Sequence, residues 1–167
     1  LITKLKTNFV ISEDIEKDFK SYNAASPKLY GLRKTHKLGC VMRPVVSSIR
    51  SPCYKLAKFL HHVLMTSLSA RFVFSTKNSF EFVKFINKIK IPDDYILASL
   101  DVVSLFTNIP KDLVRDIIID DWHDLSRLTK IPKNILLELI QFCFDSSYFQ
   151  LNGSFHQQLD GSSMGNP

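Results

Sequence analysis

Asp101 is the carboxylate in this chain best placed to do chemistry. It closes the run Tyr95-Ile96-Leu97-Ala98-Ser99-Leu100, whose apolar character predicts a short buried strand. An acid at the end of such a strand is costly to bury unless something pairs with it. A divalent cation would do so, and Mg²⁺ takes carboxylate and backbone oxygens. A cap on a local turn would also explain it, and the stretch alone does not choose between the two. A second candidate pair lies earlier. Lys37 and Arg43 stand six residues apart on either side of an expected turn. Arg offers a planar fork and Lys a compact point charge, so together they can grip phosphate oxygens from two sides. An ordinary exposed hairpin kept soluble by its bases would carry the same residues.

The elements that must position these groups can be outlined from periodicity. Leu29, Tyr30 and Leu32 form one arm of a β-hairpin, and Val41-Met42-Arg43-Pro44-Val45-Val46 the other, with a turn near Leu38-Gly39. Pro44 argues for an edge or irregular strand. Ser51-Pro52 has the chemistry of a helix start, followed by Leu56, Phe59, Leu60, Val63 and Leu64 at helical spacing. His61 and His62 are adjacent, point apart on a helix, and read as surface residues rather than ligands of one metal. Phe82, Val83, Phe85, Ile86 and Ile89 predict a second amphipathic helix, ended by Ile91-Pro92-Asp93-Asp94. A third is expected over 110–124 with Leu113, Val114, Ile117 and Ile118 inward. A fourth begins at Ile131-Pro132, with Ile135, Leu136, Leu139, Ile140, Cys143 and Phe144 on its core side. Asn152-Gly153 between two strand-like runs is a strong hairpin signal. Gly161 and Gly165 permit close backbone approach to a ligand. Ser12 and the acids after it suit a short helix start, but residues 1–18 suggest no chemistry.

Charge adds a constraint. From Phe19 to Phe80 there is no Asp or Glu, while that window holds seven Lys and four Arg. A surface facing polyanions, nucleic acid or nucleotide phosphate, explains this better than a solvated basic face with no partner. A length of 167 residues suits one core and is short for two large domains. At 45% hydrophobic and 23% charged the composition is globular. No apolar run approaches the roughly 18 residues that span a bilayer, and no secretory signal is visible at the front. The three cysteines, Cys40, Cys53 and Cys143, include no CxxC pair. Buried or half-buried thiols are therefore expected, not a zinc site or disulfide framework.

PKLYGLRKTHK, MRPVVSS, SLDVVSLFTNIP and QLDGSSMGNP, in this order, resemble the reverse transcriptases of Penelope-like retroelements, a group related to telomerase. The resemblance runs from about Lys28 to Pro167 and rests on the order of the motifs. It implies an α+β right-hand polymerase with a lead-in segment over 1–27, fingers over 28–94 and a partial palm over 95–167. Lys37 and Arg43 would hold the incoming triphosphate, with Lys34 a further candidate. Asp101 would be the first catalytic carboxylate, and the Val102 carbonyl the accompanying metal contact. Phe106 is similar to the aromatic residue that excludes a ribose 2′-OH, its plain alternative being core packing. Met164 and Gly165 resemble the start of the segment that packs against the nascent base pair and template. Many reverse transcriptases carry Gln where Met164 stands, and Met is usual in the Penelope-like group.

The implied partners are an RNA template, a DNA primer and dNTP, with no membrane, and the implied cofactor is a pair of Mg²⁺ ions. Such a pair needs several carboxylates, and in the family a second acidic pair follows the segment containing Met164. This chain begins at Leu1, ends at Pro167 before any such pair, and has the look of a piece cut from a longer protein. Asp120-Asp121 inside a helix and Asp93-Asp94 ahead of the strand do not replace it. The expectation is an RNA-directed DNA polymerase as the parent, these residues inactive alone, and a nuclear location. A non-catalytic nucleic-acid-binding remnant is the alternative. A metabolic α/β domain with a basic surface would leave the Lys37–Arg43 spacing and the motif order unexplained.

Overall fold

A computed structural model describes residues 1–8, 10–20, 22–35, 39, 41–68 and 75–167. Lys37 lies outside them, as does the tip of the first hairpin around Leu38. The architecture is α+β, with seven α-helices and a four-stranded mixed sheet among the described residues.

The sheet is built from two hairpins. β1 (Lys28–Arg33) pairs antiparallel with β2 (Met42–Ser47), placing Gly31 opposite Pro44 and Leu32 opposite Arg43. β3 (Tyr148–Leu151) pairs antiparallel with β4 (Ser154–Gln157). The order β2-β1-β3-β4 leaves β2 at an edge, where a proline's missing N–H costs no ladder bond. Asn152 and Gly153 turn the second hairpin with φ of 49° and 83°. Positive φ at both central residues is what the favoured two-residue hairpin turn needs. The hairpins meet where β1 runs parallel to β3, and the Gln150 N–H donates to the Pro27 carbonyl at 2.7 Å.

The helices form the core. α1 (Ile2–Thr7), α2 (Glu13–Phe19), α3 (Tyr54–Leu68), α5 (Lys111–Asp120), α6 (Trp122–Leu128) and α7 (Lys133–Asp145) all contribute to one buried cluster or pack on it. Leu5, Leu56, Leu125, Ile131, Leu136 and Leu139 are its most enclosed side chains. The cluster thus draws on all three sequence segments, 1–27 included. Ser12 caps α2, its hydroxyl accepting from the Ile15 N–H at 3.4 Å.

Several expectations change. Residues 95–100 are not a strand. Ile96 is 91% and Leu100 97% exposed. β1 is flanked on both sides and β2 is met by the 164–165 segment described below, and residues 95–100 do not pair with the open outer edge of β4 either. The backbone bond recorded for 95–100 is Tyr95 N–H to the Pro92 carbonyl, at 3.1 Å. α4 (Ser79–Ile86) forms with Asn78 as N-cap, but it buries none of its residues. Phe82, Val83, Phe85 and Ile89 are exposed. The helix expected over 110–124 divides at Asp121 into α5 and α6, leaving Leu113 and Ile117 exposed and Ile118 buried. Pro52 precedes α3 and Pro110 caps α5, each just outside the helix it was expected to begin.

Residues 1–18 also hold more chemistry than their sequence suggested. Glu16 is buried, and its carboxylate meets Lys20 Nζ at 2.7 Å and Lys6 Nζ at 3.2 Å. The Lys20 hydrogen bond is the main influence holding the Glu16 carboxyl below its ordinary value of 4.5, with Lys6 assisting against desolvation. Lys6 is raised in turn, chiefly by its hydrogen bond to Glu16.

Two outcomes are expected. A lowered folded-state pKa contributes stability above the unfolded value that is lost as pH falls through the folded one. Glu16→Gln should therefore lower Tm at pH 7, and the gap to the wild type should close as the pH is taken below about 4; a gap that stays constant in a pH series of thermal melts contradicts this. Leu136→Ala should cost about 2–5 kcal/mol in urea unfolding, whereas Phe80→Ala, at a position 80% exposed, should stay within about 0.5 kcal/mol.

Candidate functional site

Three distant segments meet at residues 161–166. The Ser162 N–H donates to the Phe106 carbonyl at 2.7 Å. Two residues later the Met164 carbonyl accepts from the Val46 N–H of β2 at 2.9 Å. The Ser48 hydroxyl donates to the Gly165 carbonyl at 2.8 Å. One short strap thus joins the turn that follows Asp101 to the strand that carries Arg43.

The two glycines make this approach possible. Gly161 has φ of 68°, and a Cβ there would lie 2.6 Å from the Thr107 carbonyl oxygen and closer still to that of Phe106. Gly165 has φ of 110°, and a Cβ there would overlap the Val46 carbonyl oxygen. Close backbone approach was expected at these glycines, but toward a ligand; the approach is to the chain's own carbonyls. Ser163 is buried beneath the strap and donates to Gln158.

Phe106 sits on a 3₁₀ turn, Leu105–Asn108. Ser104 enters the turn with φ of 52°, a left-handed conformation. The Asn108 amide donates to the carbonyls of Val103 at 3.3 Å and Ser104 at 3.2 Å, and the Thr107 hydroxyl to Ser104 at 3.0 Å. Side-chain bonds of this kind hold a loop that no regular element supports. The Phe106 ring is 41% exposed, so it is not a core residue.

Asp101 and Val102 are exposed, and the Asp101 carboxylate has no hydrogen-bond or ion-pair partner among the described residues. It neither caps a turn nor is sealed in apolar packing. Arg43 is exposed on β2, and Lys34 is half-buried just past β1, its N–H donating to the Val41 carbonyl at 3.0 Å. Neither side chain pairs with Asp101. Of the expected site residues, the structure links the backbones of Phe106, Met164 and Gly165 to one another and to β2. It does not bring Asp101 into contact with Arg43 or Lys34.

The two Mg²⁺ ions of the implied cofactor do not fit what is present. One exposed carboxylate and one backbone carbonyl, Asp101 and Val102, are too few ligands for a metal pair. No group of three or more His, Cys, Asp or Glu suited to a metal occurs among the described residues. No metal-dependent step is derived from these residues.

The basic window divides by partner. Lys20 is held by Glu16, and Lys55 is paired with Asp18, both acids coming from outside the window. Lys28, Lys34 and Arg43 on the hairpin have no acidic partner among the described residues. Arg43 is on the edge strand β2, and Lys28 and Lys34 are on or just past the interior strand β1. Sequence reasoning missed Ser48 and Ser162, which fasten the strap. Both stand inside the motifs MRPVVSS and QLDGSSMGNP, but a serine outside any apolar period gives no sign of which backbone or hydroxyl bond it will make.

No protein-family model matches the chain, no curated protein matches it, and no solved structure matches it. No helix among the described residues is long and apolar enough to cross a membrane.

The strap predicts a ranking of glycine substitutions. Gly153→Ala, at φ of 83° with nothing within 4 Å, should cost about 1–2 kcal/mol for the left-handed backbone alone. Gly161→Ala and Gly165→Ala should each cost clearly more, because backbone oxygens must also move. Equal midpoints for all three in urea unfolding would remove the strap from the account.

Proposed function

We propose that these residues are the fingers and part of the palm of an RNA-directed DNA polymerase of the Penelope-like kind, working in the nucleus on an RNA template with a DNA primer and dNTP. The observation that carries the reading is the strap. The three motif-bearing segments are far apart in sequence, yet residues 161–166 hydrogen-bond to both of the others. A polymerase needs those segments around one nucleotide, and a chance likeness of separate motifs gives no reason for them to meet.

The roles follow residue by residue. Arg43 and Lys34, with Lys37, bind the triphosphate by charge-assisted hydrogen bonds. Phe106 presents a ring to the sugar and disfavours a 2′-OH. Its exposure supports this role over core packing. Met164 and Gly165 lie along the nascent pair. Asp101, solvent-accessible and unpaired, is the first metal-binding carboxylate, with the Val102 carbonyl beside it. Since one carboxylate does not hold a metal pair, these 167 residues bind without turning over.

The second reading is a non-catalytic nucleic-acid-binding remnant. The unneutralised hairpin cations favour it equally, because phosphate backbone and triphosphate attract them alike. Binding by labelled RNA–DNA hybrid anisotropy separates the two. Both readings expect log K to fall linearly with log salt between about 50 and 200 mM. Only the polymerase reading expects added dNTP to bind, and Arg43→Ala to weaken that binding by about tenfold, the worth of one charge-assisted contact at roughly 1.4 kcal/mol. Primer extension on poly(rA)/oligo(dT) with Mg²⁺ should yield no product. Incorporation by these residues would overturn the incomplete-site assignment, and absence of any dNTP binding would leave the remnant.

A further inference from the structure

A cavity of about 220 Å³ lies behind the strap. Its walls come from α3, α7 with the start of β3, residues 162–167, the end of β2 with the turn after it, and single residues from Pro27 and α5. The inner surface is apolar, with Ala57, Leu60, Leu64, Ile140 and Phe144. The rim is hydroxylic, with Ser48, Ser51, Ser147 and Ser162. No Lys, Arg, Asp or Glu lines it.

We propose that this cavity is a binding site for a small uncharged molecule with an apolar body and a hydrogen-bonding edge, of the size and polarity of phenol or indole. Three observations carry the assignment. A dry cavity of ~150 Å³ lined by aliphatic chains is enough to hold benzene, so this one has room for a somewhat larger ring system. The residue Ser51 is only 8% exposed, yet its hydroxyl has no hydrogen-bond partner among the described residues. That hydroxyl stays accessible at the cavity rim, where a ligand donor or acceptor can pair with it. The uncharged lining gives an anion no partner to compensate its lost hydration. The site is therefore chemically distinct from any phosphate site on the hairpin.

Occupancy would be felt at the strap, since Val46 and Ser48 line the cavity and also hold Met164 and Gly165. A bound ring would brace the wall that those two bonds form. The assignment does not depend on the polymerase reading, because it uses only the cavity's size, lining and unpaired hydroxyl.

Two thiols on the lining, Cys53 and Cys143, provide the readout. Burial, with Cys53 nearby, pushes the Cys143 thiol up to about 12. It should alkylate slowly at pH 8, leaving Cys53 as the reporter. The experiment uses the Cys40→Ser chain, iodoacetamide, and mass spectrometry of the two remaining cysteines. Millimolar indole or phenol should slow Cys53 alkylation several-fold, and benzoate should not. Ala57→Phe fills the cavity and should abolish the protection while indole binding elsewhere is unaffected. Should that chain fail to fold by circular dichroism, Ala57→Val and Ser51→Ala should each weaken protection. No protection by indole or phenol, equal protection by benzoate, or full protection in the folded Ala57 and Ser51 variants would each overturn the proposal.

Discussion

Two amide–carbonyl bonds and one hydroxyl bond hold residues 161–166 between the Phe106 turn and β2, and the arrangement of the motif-bearing segments depends on them. Each is made by backbone on at least one side. Each also requires that the strap come closer than a side chain allows, which is why glycine stands at 161 and 165. A contact of this kind transmits position well. The carbonyl of Phe106 and the N–H of Val46 are each a short step from a side chain that faces solvent. Phe106 and Arg43 therefore take their relative placement from the strap, not from packing of their own side chains.

Around this junction the molecule is unevenly finished. The helical cluster of α1–α3 and α5–α7 encloses several leucines and isoleucines completely. From Ser79 to Phe106, large apolar side chains face water instead. An eight-residue helix is marginal without tertiary contact. α4 nevertheless has its Asn78 cap, accepting from the Glu81 N–H at 3.0 Å, and a Glu81–Lys84 pair. Its order here is local in origin, and its apolar face gains no burial. Contiguous exposed apolar surface on this scale is characteristic of interaction surfaces. Asp101 stands in the same stretch, so the part of the chain with the most chemical promise is also the part least supported by the fold.

How much of this was legible in the sequence depended on how local the cause was. Asn152-Gly153 specifies its turn through two backbone angles, and the hairpin follows wherever strands flank it. The apolar stripe of α7 is read directly from spacing because its partners all lie on one face. The run at 95–100 has an equally strong apolar signature. A strand, however, is a relation between two segments, and residues 95–100 pair with none, the open edge of β4 included. Ile118 and Leu125, seven apart, would share one face of an unbroken helix, so the break between α5 and α6 at Asp121 left no mark in the apolar spacing. The strap was half legible: the glycines announced close approach, and the sequence could not say to what.

The charge pattern carries the same distinction one level higher. An acid-free window is visible in the sequence, but its meaning depends on which bases the fold neutralises. Glu16 and Asp18, just outside the window, reach back to Lys20 and Lys55 and neutralise those two, while exposed Lys58 of α3 has no acid partner among the described residues. The hairpin side keeps Lys28, Lys34 and Arg43 without acid partners among the described residues. At physiological ionic strength the screening length is about 8 Å, so Lys34 and Arg43, close together in the ladder, repel one another, while Lys28 at the far end of β1 is largely screened from both. That repulsion is a standing cost, and a polyanion relieves it while releasing its own counterions. Of the three, Arg43 stands on β2, the edge strand to which the strap ties the Phe106 turn, and Lys28 and Lys34 on or just past the interior strand β1.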